Sequence, residues 1–95
     1  MGERAAVHDG LPGADLIGRG LDDLAAGRES IAALLVSIGG PRLTRLGLTI
    51  PSPLPQPERR LYARLHAEDP DTAHGRYNAL VRRLVSFERA AACAS

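Results

Sequence analysis

The chain has 95 residues and a formal net charge of +1, so it is one domain at most, near the lower end of sizes that bury a self-sufficient core. Apolar residues at 44% and charged residues at 24% exclude wholesale disorder, and the near-balanced charge gives no strong electrostatic case for nucleic acid. The longest apolar run, Ile31 to Ile38 with Ser37 inside it, is far short of the ~20 residues that a membrane span needs.

There is no tryptophan, one phenylalanine and two tyrosines, so the core must be built from Leu, Ile, Val and Ala. That composition predicts an all-α domain, a small bundle of four or five short helices. All twelve basic residues are arginine, a side chain that stays charged in any environment and grips carboxylate or phosphate bidentately. A single cysteine, Cys93, makes no internal disulfide, and the opening residues contain no apolar signal segment. Both features agree with a cytoplasmic protein.

Residues 1 to 13 mix Gly, Pro, His and Asp without periodicity and read as a flexible arm, leaving 14 to 95 as the single helical domain. From Ala14, Ile17, Leu21 and Leu24 fall on one helical face, with Asp15 as the expected N-cap. The apolar series continues through Ile31, Leu34, Leu35 and Ile38. Gly27 favours a break into two helices, because glycine in a helix interior costs about 1 kcal/mol. The stretch "IGGP" then stops the helix, with Gly39 or Gly40 expected in the left-handed conformation and Pro41 opening a short helix closed by Gly47. These elements make a first helical half, 14 to 47.

Residues 48 to 56 form a proline-rich extended connection. With prolines at 51, 53, 55 and 57, six residue steps at about 3.1 Å each would span roughly 19 Å, enough to run down the side of a bundle. The even spacing lacks the P-x-x-P pattern of ligands for proline-binding domains. The second half, 57 to 95, is predicted to be a helical hairpin. Pro57 opens a helix with Leu61, Tyr62 and Leu65 on one side. Asp69 and Pro70 then cap and open the last helix, over about 70 to 92.

That last helix carries the strongest pattern, and the central place in the bundle is assigned to it. Leu80, Leu84, Phe87 and Ala91 form a narrow stripe that Tyr77, Val81, Val85 and Ala92 widen to more than a third of the circumference. Glu88 falls inside the stripe, which requires an arginine partner from a neighbouring helix or an opening to water. A stripe this wide on so short a chain points to a non-enzymatic module that self-associates or docks on another protein. Tyr77, Leu80, Val81, Leu84, Phe87 and Glu88 are its candidate interface, and a homo-oligomer such as a dimer or a protein partner is expected. The alternative is association with nucleic acid through Arg76, Arg82, Arg83 and Arg89.

Arg60 and His66, in "RRLYARLH", resemble the loose R-x4-6-H pattern of HEPN-type ribonucleases, small helical proteins in which the Arg and His act on RNA phosphates. The resemblance implies a ribonuclease variant of the nucleic-acid reading. Twelve arginines and three histidines make such a spacing expected by chance, and Leu61 stands where that family carries a polar residue. The pattern alone therefore does not place the chain in the family. "SIAALLVSIGGPRLTRLGL" is a weak helix-turn-helix candidate, with Arg42 and Arg45 on the second helix. His66, Glu68, Asp69, Asp71 and His74 are rich in potential ligands but fit no zinc template. No metal, cofactor or catalytic residue is assigned.

Overall fold

The computed structural model describes residues 10–94, and they form five helices and no strand. Helix α1 spans Ala14–Ala25, α2 Ile31–Ile38, α3 Gly40–Arg45, α4 Pro57–Glu68 and α5 Ala73–Ala94. Residues 1 to 9 of the expected arm lie outside the described residues. Residues 10 to 13 turn, and Leu11 packs on the core while its carbonyl accepts from the Ala14 amide at 3.0 Å.

Helix α1 begins one residue before the expected cap. Gly13, in the left-handed conformation at φ 79°, takes the N-cap position, and Asp15 sits in the first turn, where its charge faces the positive helix end. The chain does break after α1. The Gly27 amide bonds the Leu24 carbonyl at 3.1 Å and the Arg28 amide bonds that of Asp23 at 2.8 Å, a Schellman ending that uses glycine at φ 75°.

One carboxylate organises the turn into α2. Asp23 accepts from the Arg28 guanidinium at 3.0 Å and from the Ser30 hydroxyl at 2.6 Å, while Ser30 Oγ accepts from the Ala33 amide and caps α2. The Ser30 bond and then the Arg28 guanidinium hold the Asp23 carboxyl below its ordinary pKa. Glu29, on the same turn, reaches α4 through Arg60 at 2.8 Å.

The central helix is α2, not the last one. It packs against each of the other four helices, and Ala32 to Ser37 are all buried. The reason is its composition: a helix apolar all round has no face to offer water, whereas α5 keeps a polar side. Helices α1 and α2 approach so closely at Gly20 that a methyl group there would collide with the Ala32 carbonyl oxygen and stand 2.5 Å from Val36 Cγ2.

At the α2–α3 junction neither glycine is left-handed; Gly39 has φ −83°. What Gly39 supplies is space, because a methyl group there would stand 2.8 Å from Leu84 Cδ1 and 2.9 Å from Glu88 Oε2. Helix α5 starts at Ala73 rather than near 70. Asp69 ends α4 instead, and its side chain accepts from the Asp71 amide at 3.1 Å.

The connection between α3 and α4 contains no helix and bends at Ser52 (φ 44°) and Gln56 (φ 48°). Both residues precede a proline, which closes the right-handed helical region to them. Leu48 is buried, and Ile50 and Leu54 pack on the core. Ser37 pins the connection to the central helix: its hydroxyl donates to the Ala33 carbonyl at 2.8 Å and accepts the Leu54 amide at 3.0 Å. Ser37→Ala leaves that amide unpaired in a half-buried position. A loss of about 1–2 kcal/mol in urea unfolding is expected, with the helical content unchanged.

Candidate functional site

Most of the α5 stripe is consumed by the fold itself. Leu84, Phe87 and Ala91 are buried against the chain's own helices, and Tyr77 and Leu80 are partly covered. Tyr77 packs beside Tyr62 of α4, with ring centroids 5.7 Å apart, and burial raises its pKa, with a smaller contribution from Glu58. The apolar edge left open is the flank that carries Val81 and Val85.

That flank forms one wall of a groove of about 310 Å³ against the α2–α3 corner. Ile38, Pro41, Val81, Leu84 and Val85 supply its apolar lining, and Arg42 and Arg45 stand on its α3 side. The short helix α3 has this position because Gly39 lets the corner press directly on Leu84 and Glu88.

Glu88 lies in the groove with its side chain only 7% exposed, and Arg42 Nη1 stands 3.6 Å from its carboxylate. Of the two alternatives that the sequence leaves for Glu88, an arginine partner or an opening to water, the partner is present and comes from α3. Burial pushes the Glu88 carboxyl above its ordinary value of 4.5, and the Arg42 charge pulls it partly back. A carboxyl whose pKa is higher in the folded state favours folding while it is protonated. Its contribution is present at low pH and declines as pH rises from about the ordinary value through the folded one. Glu88→Gln should thus flatten the alkaline-going decline of the melting temperature between pH 4 and 8 and raise it at pH 7. Parallel curves for the two proteins would show that the carboxyl is not desolvated.

The candidate nucleic-acid arginines divide into two pairs. Arg76 is held by Glu68 at 2.9 Å and Arg83 by Asp15 at 3.7 Å. Arg82 and Arg89 are exposed and make no ion pair among the described residues. A second depression, of about 320 Å³, lies between Pro12 and Gly13 on one side and Ala79, Arg82, Arg83 and Ser86 on the other.

Arg60 and His66 are not brought together. Six residues apart on α4, they point about 120° from each other. Arg60 bonds Glu29 at 2.8 Å and reaches the Pro55 carbonyl at 3.4 Å, while His66 lies beside the Tyr62 ring with centroids 6.4 Å apart. The acidic and histidine residues from 66 to 74 are similarly dispersed: Glu68 pairs with Arg76, Asp69 serves the turn, and His74 contacts Asn78 at 3.2 Å. Among the described residues, no three His, Cys, Asp or Glu side chains converge as a metal-binding group. No helix among them is long and apolar enough to cross a membrane.

The importance of Gly20, Ser37 and the α2–α3 corner did not emerge from the pattern of apolar residues. A glycine inside an amphipathic helix and a lone serine in an apolar run were the available signals. Comparisons with protein-family models, characterised proteins and solved structures found no match.

Proposed function

We propose that this chain is a non-enzymatic protein-interaction module of the cytoplasm whose binding surface is the groove between α3 and α5. The supporting observation is the open apolar edge of Val81 and Val85 facing Ile38 and Pro41, with a buried carboxylate and two arginines at its side. Aliphatic surface that the fold leaves accessible, bordered by charge, has the composition of a protein-docking site. The single, exposed cysteine is compatible with a reducing compartment.

The test uses Val85→Asp, which places a charge on the groove wall without touching the core. Light scattering after size-exclusion chromatography reports self-association. Selection from a library of helical peptides reports hetero-association. A dimer returned to monomer by the variant, or selected peptides that bind the parent and not the variant, supports the reading. A monomer whose selected peptides bind both proteins equally overturns it.

Arg82, which makes no ion pair among the described residues and lies beside Arg83, Ser86 and the open depression at Gly13, supports a second reading, association with nucleic acid. It predicts binding of generic RNA or DNA that weakens with salt and with Arg82→Glu. Absence of binding at low salt removes it. The ribonuclease form of this reading has less support, because Arg60 is committed to Glu29 and faces away from His66.

A further inference from the structure

The groove reading leaves the occupant open, and the charges around it narrow the choice. Arg45 lines the groove, and two further exposed arginines lie on α5 beside its wall. Arg45 stands on the α3 side; Arg89 lies four residues after Val85, next to it on α5 and outside the lining itself, while Arg82, three residues before, opens onto the second depression. None of the three makes an ion pair among the described residues. Among the described residues, the only carboxylate lining the groove is Glu88, which is buried and faced by Arg42. The outward field of this surface is therefore positive around an apolar centre.

Resting on the reading of the groove as an interface, we propose that its occupant is an amphipathic helix of another protein, with aliphatic anchors on one face and acidic residues on both flanks. The anchors enter between Val81, Val85, Ile38 and Pro41, and the acids meet Arg45 on one side and Arg89 on the other. Val81 and Val85, one helical turn apart on the groove wall, match the spacing of i and i+4 anchors on such a helix. A second copy of this chain fits less well, because facing copies would set arginine rims against each other around aliphatic surfaces. Nucleic acid also fits less well. Its phosphates match the rim, but no aromatic ring among the described residues lines the groove to stack a base, and the aliphatic wall would be left against charge.

A synthetic helical peptide with leucine at i, i+4 and i+7 and glutamate on both flanks tests the proposal. Two controls accompany it: one with every glutamate replaced by lysine, the other with every leucine replaced by serine. The full chain is titrated with each, by fluorescence anisotropy and by amide chemical shifts. The glutamate peptide is expected to bind at least about tenfold more tightly than either control, with shifts at the groove and with affinity falling as salt rises. Arg45→Glu with Arg89→Glu, both on exposed side chains, should reverse the preference toward the lysine peptide while the melting temperature holds.

Equal binding of the glutamate and lysine peptides, or shifts away from the groove, would overturn the acidic-helix assignment. A dimer dissolved by Val85→Asp would also overturn it while leaving the interface reading intact, and so would library peptides that need Val85 but carry no acidic bias. RNA that displaces the glutamate peptide and moves the same groove resonances would reassign the surface to nucleic acid.

Discussion

Gly20→Ala is expected to destabilise the protein by about 3 kcal/mol or more, although alanine is the better helix former by about 1 kcal/mol. The added methyl meets backbone, not the tip of a flexible side chain: the Ala32 carbonyl oxygen lies in its path, and the Ala32 carbonyl carbon stands 2.8 Å away. Helices α1 and α2 would have to move apart, opening the contact along which Ile17, Leu21 and Leu24 pack on α2. Gly18, two residues earlier on the same helix, has open space where its methyl would lie. Gly18→Ala should therefore be neutral or stabilising. Urea unfolding of the two variants checks the contrast, and equal stability would mean that the helices can separate at little cost.

Phe87→Ala should cost about 3–5 kcal/mol, the range for emptying a large buried site. Phe87 is the chain's only phenylalanine and is 1% exposed. It belongs to the same buried cluster as Ile17, Leu21, Leu35 and Ala91, and its Cβ stands near Gly13 at the start of α1, so it ties the last helix to the first. A domain of this size is stabilised by roughly 5–14 kcal/mol in all, so the variant retains little reserve at physiological temperature. Phe87→Leu, which keeps most of the volume, should lose less than half as much. Calorimetry of both would separate lost volume from a loss specific to the ring.

The helical content and the order of elements were legible, with four or five helices left open, because the apolar spacing, the prolines and the glycines agree with one another along the chain. Gly27 acts on the backbone locally, so its effect could be read without knowing what surrounds it; the prolines likewise kept 48–56 free of helix, but the extended run expected there bends at Ser52 and Gln56. The central position of α2 could have been read from "IAALLVSI", which offers no polar face, but the longer stripe of α5 drew the assignment instead. Asp15 missed the cap because Gly13 can adopt a backbone conformation that aspartate rarely does.

The candidate site was only half visible. Glu88 announced itself as a charge inside an apolar stripe, and its need for an arginine or an opening to water followed from the cost of burying a carboxylate. Which arginine would answer depends on the corner at Gly39, a matter of space between elements far apart in the chain. Tyr77, Leu80, Leu84 and Phe87 looked available for a partner because an amphipathic pattern does not distinguish a neighbouring helix of the same chain from a helix of another.

The position of Ile31–Ile38 has a consequence for how the molecule comes apart. A short, almost wholly greasy segment enclosed by everything around it has no stable existence in water once either side of its enclosure is lost. The two halves joined by the prolines are therefore not separable folding units, and heating should dismantle them in one concerted transition. Ring signals from Tyr62 and Tyr77 and amide signals from Ala14–Ala25 are expected to disappear at a common midpoint, even though the proline connection looks like a natural place to cut.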